Sequence, residues 1–186
     1  MIESLVVMSP PVLFLALLYG SEALLRLRGI YSSGDPPIEK TLFACCKFAI
    51  MIPWGAMVLR GWGVTLLAPE RPEVLRWPVL GLWILGFALL FSGRLGLGPA
   101  FRIGLAKEKT SLKQNGVFRF SRNPMYLGID ATLAAAALYT VNPIVFAVGV
   151  FIAAVHHKII LAEEARLRNV FGEAFVQYCR KVKRYI

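Results

Sequence analysis

Charge is scarce in this chain, and negative charge scarcest. Only 17% of its 186 residues are charged, 11 acids against 21 bases, whereas a soluble globule needs roughly a quarter of its residues charged to clothe its surface. Cysteine is also rare. Cys45, Cys46 and Cys179 are the whole complement, which excludes a disulfide-built mini-protein and offers no pair at metal-ligand spacing. The adjacent two fall in an apolar block and read as small packing groups, so thiol catalysis is set aside. No basic stretch leads into the first apolar block, where only Glu3 precedes it, and no small-x-small cleavage site follows. That block is expected to stay in the mature protein rather than leave as a signal peptide. What the chain has in quantity is apolar side chains, 57% of the total and gathered in long blocks. Such a composition excludes a disordered polypeptide, and it makes lipid the expected solvent.

Five stretches approach the roughly 20 apolar residues that a helix needs to cross the hydrocarbon slab: residues 5–25, 41–59, 77–97, 124–141 and 143–161. The second carries Lys47 and Pro53 and the fourth carries Asp130. Pro53 predicts a kink, because neighbouring helices can satisfy the carbonyl that a proline frees. With an odd number of spans and the N-terminus outside, 17 of the 21 basic residues fall on one face, 3 (Arg60, Arg71, Arg76) on the other, and Lys47 in the membrane. The positive-inside rule then places the C-terminus in the cytoplasm. Because the basic residues track membrane edges, the net charge of +10 points to anionic headgroups or an anionic substrate and away from nucleic acid. No repeat, low-complexity run or linker interrupts the chain, so 1–186 reads as one integral membrane domain. Residues 139–143 are too short for anything but a tight hairpin between the last two spans. The hairpin returns both of its ends to one face, where 94–123 and 156–186 form a rim.

On that rim His156 and His157 are adjacent. Neighbouring positions point about 100° apart on a helix, so the two are not a simple chelate. A catalytic imidazole and interface anchoring both remain open. His156 and Glu163 are seven apart, as are His157 and Glu164, so each pair shares a helix face. The glutamates read either as an exposed pair balancing Arg166 and Arg168 or as a carboxylate aimed at a cationic ligand. Gly96 and Gly98 suit close helix packing as well as a phosphate loop. The Asn115-Gly116 pair signals a turn, and Asn123-Pro124 signals a helix start whose free N–H groups, beside Arg122, would suit an anion.

Two strips acquire meaning together. Gly-Val-Phe-Arg-Phe-Ser-Arg-Asn-Pro-Met-Tyr-Leu-Gly (116–128) and Glu-Glu-Ala-Arg-Leu-Arg-Asn-Val-Phe-Gly-Glu-Ala-Phe-Val-Gln-Tyr-Cys-Arg-Lys-Val (163–182), separated by a hairpin, resemble the isoprenylcysteine carboxyl methyltransferase family and its phospholipid methyltransferase relatives. The resemblance is close over 110–182 and topological before that. It implies an all-α polytopic membrane enzyme of about five transmembrane helices, with no Rossmann domain and with its catalytic region in about 94–186. S-adenosylmethionine would bind at the cytoplasmic membrane edge. The family's cofactor contacts would fall on Thr110, Ser111, Leu112, Lys113, Phe118, Asn123, Pro124, Met125, Tyr126 and Glu163, with Arg122, Asn123 and Tyr126 as the catalytic set. Two departures stand out. Asn123 replaces the family's usual His and cannot titrate. Ile159 and Ile160 stand where several members carry an Arg proposed to hold the substrate carboxylate.

Methyl transfer from a sulfonium to an ionised carboxylate needs no base, which accords with Asn at 123, whereas an amine must first shed a proton. The expected acceptor is therefore the carboxylate of a lipophilic, prenylcysteine-like substrate entering from the bilayer. Arg122 would attract it, while Glu163 takes the cofactor's ammonium or adenine amino group and Leu112, Phe118 and Tyr126 enclose the adenosyl part. Small residues at Ala131, 134–137, Gly149, Ala153 and Ala154 suit tight packing or a groove for the tail. The alternatives are N-methylation of a phospholipid, an NADPH-dependent reductase of the sterol type, and a non-catalytic membrane subunit. The terminal Lys183-Arg184-Tyr185-Ile186 carries no Cys for prenylation, so the chain is not expected to be its own substrate.

Overall fold

The computed structural model describes residues 2–27, 34–64, 69, 71–101, 104 and 111–186. Among them the protein is all-α. Its helices are α1 (Ile2–Leu27), α2 (Lys40–Ala49), α3 (Met51–Gly61), α4 (Arg76–Leu97), α5 (Pro124–Thr140), α6 (Pro143–Phe171) and α7 (Glu173–Lys181), with short 3-10 turns at Glu73–Leu75, Gly98–Ala100 and Gly116–Arg119. Four helical stretches are long and apolar enough to cross a membrane: Ile2–Leu27, Lys40–Gly61, Glu73–Leu97 and Pro143–Phe171. The expected fourth span is α5, which has 17 residues and so measures about 25 Å at 1.5 Å per residue. It packs against α3, α4 and α6. That enclosure explains how it tolerates polar residues: Thr132 accepts from the Trp54 indole at 2.9 Å and Thr140 donates to the carbonyl of Ala136 at 2.7 Å.

The second stretch breaks at Ile50, between α2 and α3. Pro53 has no N–H for the carbonyl of Ala49 and its ring crowds that carbonyl, so the break falls where the proline dictates. The 139–143 hairpin is also present. Val141 closes α5 with φ 50° and ψ 34°, a left-handed conformation rare for a β-branched residue. The side chain of Asn142 then caps α6, accepting from the amides of Ile144 at 2.9 Å and Val145 at 3.3 Å, and Pro143 takes the first helical position, where its missing N–H costs nothing.

The core lies between α1, α3, α4 and α5, around Phe14, Trp54, Trp83 and Phe87. The Trp83 indole donates to the carbonyl of Val7 at 3.1 Å, so both buried tryptophans spend their N–H. At one end of the bundle Glu3 ties α1 to its neighbours, bound by Arg71, Arg76 and the Tyr139 hydroxyl. The opposite end gathers the start of α5 and the end of α6.

Helices α4 and α5 meet most closely where two glycines face each other. A Cβ on Gly128 would lie 2.6 Å from the carbonyl oxygen of Gly86, and one on Gly86 would lie 2.8 Å from that of Gly128. Small residues allow such backbone contact in lipid, where van der Waals packing must hold helices together. Of the small residues noted in the sequence, Ala135, Ala136 and Gly149 are buried while Ala134 and Ala154 are exposed. A Gly128→Ala protein is expected to lose about 1–3 kcal/mol of stability, the usual cost of overpacking. Gly81→Ala, on α4 with open space around it, should melt like the wild type; equal melting temperatures for the two variants in detergent would disprove the contact.

Candidate functional site

Helix α5 begins at Asn123-Pro124, as its sequence predicts, but the Asn123 side chain does not cap it. Its Nδ2 instead donates to Glu164 Oε1 at 3.3 Å and to the carbonyl of Arg184 at 3.2 Å. The reason is a dense latch just beyond the helix start. Arg122 donates from Nε and Nη2 to Glu164 Oε1 at 3.1 and 2.9 Å, and from Nη1 to the carbonyls of Cys179 and Val182 at 3.3 and 2.6 Å. Arg184 grips the other oxygen of the same carboxylate from Nε and Nη2 at 3.1 and 2.9 Å. A carboxylate with a guanidinium converging on each of its oxygens is fixed in position as well as neutralised. Glu164 is therefore balanced by Arg122 and Arg184, and not by Arg166 and Arg168, the partners expected from helical spacing. Of the five N–H groups on the Arg122 side chain, one on Nη2 remains for anything else.

Glu163 behaves differently although it is the adjacent residue. It accepts from the Tyr126 hydroxyl at 2.9 Å and forms no ion pair among the described residues. Tyr126 stands in the first turn of α5, and Glu163 lies on α6 beyond the apolar stretch, so this bond joins the two sequence strips directly. The turn Gly116–Arg119 is fastened by α7: the Tyr178 hydroxyl donates to the carbonyl of Phe118 at 2.6 Å. Burial pushes the Tyr178 phenol up to about 12, against the pull of Arg122, so it stays a neutral donor at any physiological pH. Gly172, with φ 54°, turns the chain sharply from α6 into α7, which buries Phe175 and Tyr178.

These elements surround one cavity of about 340 Å³, within the size range of small-molecule sites. Ser111, Leu112, Lys113 and Phe118 line it from the segment before α5, and Arg122, Asn123, Pro124, Met125 and Tyr126 from the start of that helix. Glu163 lines it from α6. The structure thus brings these sequence-predicted residues around one space; Thr110 lies outside the described residues. Two contributions were not anticipated, and a third comes from a residue whose role the sequence left open. Helix α2 supplies a wall with Phe43, Cys46, Lys47 and Ile50. Arg184, at the far end of the chain, completes the latch. His156 lines the cavity with its Nδ1 3.0 Å from Asp130 Oδ1, whereas His157 faces outward and bonds the Tyr185 hydroxyl. Asp130 gave a signal in the sequence as a lone acid at membrane depth, and His156 as an imidazole on the rim.

A family model for phospholipid methyltransferases matches residues 77–174, just over half of the chain. The chain belongs to that family. The match runs from α4 through α5 and α6 into α7, and so contains Tyr126, Glu163 and the Arg122–Glu164 pair, while Arg184 and the α2 wall fall outside it. Among individually curated proteins, none matches this chain. The protein is accordingly a multi-pass membrane methyltransferase by family, and methyltransferases of this kind generally use S-adenosylmethionine.

The two adjacent glutamates should separate cleanly on mutation. Glu164→Ala leaves Arg122 and Arg184 facing each other with 10% and 34% of their side chains exposed. Breaking a buried pair costs about 3–5 kcal/mol, less here because Arg184 is partly solvated. Glu163→Ala removes one phenol contact and should cost about 1 kcal/mol. Thermal unfolding of both variants tests this, and a larger loss for Glu163→Ala would invert the assignment.

Proposed function

We propose that this protein binds S-adenosylmethionine in the 340 Å³ cavity and methylates the head of a lipid at the cytoplasmic face. The observation that carries this reading is the Tyr126–Glu163 bond, which closes two distant strips over one space. The lining fits the donor's chemistry. Glu163, a carboxylate with no cation bound to it among the described residues, suits the amino acid ammonium; Lys113 suits the carboxylate; Leu112, Phe118 and Met125 offer apolar surface to the adenosyl part. When bound, the sulfonium supplies an activated methyl group whose departure leaves a neutral thioether. The protein's own work is to align and desolvate the acceptor. Phe43, Ile50, Ile129 and Ile159 add apolar lining, as an acyl or prenyl tail arriving through the bilayer requires. The proposed orientation, N-terminus outside, follows from the uneven share of basic residues.

For the acceptor we favour the amine of a phospholipid headgroup. The family match supports it, and so does the lining of the cavity: Arg122, the cation nearest Tyr126 in sequence, is occupied by Glu164, while the His156 imidazole remains available to an amine head. The prenylcysteine-like carboxylate is the second reading. It is favoured by Lys113 and Arg166 in the wall, by the free Nη2 hydrogen of Arg122, and by the lack of any need for a base. Transfer of a labelled methyl group by the purified protein in liposomes should mark phosphatidylethanolamine; label only in a prenylcysteine analogue would select the second reading.

Calorimetry addresses the methyl donor separately. S-adenosylhomocysteine should bind and NADPH should not, since a reductase would show the reverse and a non-catalytic subunit would bind neither. A hydrogen bond to a charged group contributes about 1.5–3 kcal/mol, so Glu163→Ala is expected to weaken S-adenosylhomocysteine binding about 10- to 100-fold. Wild-type affinity in that variant would remove Glu163 from the donor site.

A further inference from the structure

Asp130 and His156 form a pair that the roles above leave unused. Asp130 sits in the second turn of α5, about 9 Å along the helix axis from Pro124 at 1.5 Å per residue. His156 lies on α6 with only 3% of its surface exposed, yet it lines the cavity. Asp130 is not part of that lining. It stands behind the ring, with Oδ1 3.0 Å from Nδ1. An ionised carboxylate can only accept, so Nδ1 carries the proton, and in the neutral ring the lone pair is then on Nε2. Nε2 has no hydrogen bond among the described residues, and it is not one of the sealed, unpartnered polar atoms of the interior, so it remains open to a molecule in the cavity. The Tyr126 ring meets the imidazole nearly edge-on, with centroids 5.1 Å apart. Its hydroxyl reaches on to Glu163. The other titratable groups that line the space are Cys46 and Lys47 on α2, Lys113 and Arg122 before α5, Glu164 and Arg166 on α6, and Tyr178 on α7. Among the described residues, only Asp130 is bonded to the imidazole.

A polar pair at membrane depth is costly and needs a reason. Fastening α5 to α6 is not sufficient reason, since apolar packing would do that without burying an imidazole whose free nitrogen faces a ligand-sized space. The order of groups, cavity then imidazole then carboxylate, is that of an oriented general base. We propose that His156 Nε2 accepts the proton that the lipid amine must lose before methylation, and that Asp130 fixes the ring and stabilises the imidazolium. This inference rests on the amine reading of the acceptor. The ammonium gives its proton to Nε2 and becomes a neutral amine. The nitrogen lone pair then forms the N–C bond to the methyl carbon as the S–C bond breaks, sulfur keeps the bonding pair, and the imidazolium releases its proton to water. The positive charge lost by sulfur reappears on the methylated nitrogen, so charge and atoms balance.

The test uses the full-length protein in liposomes with labelled S-adenosylmethionine and phosphatidylethanolamine, alongside calorimetry with S-adenosylhomocysteine. Positioned general bases contribute about 10²–10⁴-fold. His156→Gln is expected to bind S-adenosylhomocysteine within about threefold of wild type while methylation at pH 7 falls about 100-fold or more. Its rate should then recover with rising pH, as free amine becomes available without the base. Asp130→Asn, which keeps the ring but not the charge, should fall about 10-fold with donor affinity again retained. A His156→Gln protein with wild-type rate and pH profile would overturn the proposal while leaving amine methylation intact. Parallel loss of donor affinity and rate in both variants would also overturn it, by making the pair structural. If the wild type labels no lipid amine, the acceptor reading itself fails and takes this role with it.

Discussion

The site depends on one carboxylate. Glu164 is gripped on both oxygens, by Arg122 from the segment entering α5 and by Arg184 from the chain's end. Arg122 in turn holds the carbonyls of Cys179 and Val182, and its own amide donates to the carbonyl of Lys183 at 3.1 Å. Three parts of the chain that are far apart in sequence are thereby locked to one point. The lock fixes the start of α5, and with it the distance from Tyr126 to α6. Two charges of one sign share a single counter-charge here, so the arrangement holds only while all three members are present.

Packing at the other levels serves the same end. The glycine contact between α4 and α5 sets how near the two helices come, and Met125 fills the space beside Gly93, where a Cβ would lie 2.5 Å from its Cγ. Any outward movement of α5 would therefore shift Asn123, Tyr126 and Asp130 together. The residues that line the cavity are thus placed by the latch at its edge and by the α4–α5 contact, which is how a helical bundle can hold a site rigid.

Much of this was legible in the sequence, for physical reasons that also mark the limits. Apolar runs must match the bilayer, so the long helices were evident; the Pro53 break and the Asn142-Pro143 start follow from backbone chemistry that is local. The pairing of the two strips was legible because their residues are unusual together. Helical spacing, by contrast, suggested Arg166 and Arg168 as partners for the glutamates, whereas the real partners come from other segments, and no periodicity reports those. Asp130 was read as weakening a span; its partner lies 26 residues on, across a hairpin. The α2 wall was invisible for the same reason, since nothing in residues 40–50 says which neighbour they will face.

One feature of α5 bears on the membrane itself. A rod of about 25 Å stops some 5 Å short of a hydrocarbon layer about 30 Å thick. Bilayers adjust to such mismatch by becoming locally thinner. Exposed Ala134 and Leu138 leave part of this helix uncovered by its neighbours, so a bilayer around the bundle would meet its shortest rod directly and would thin to match it.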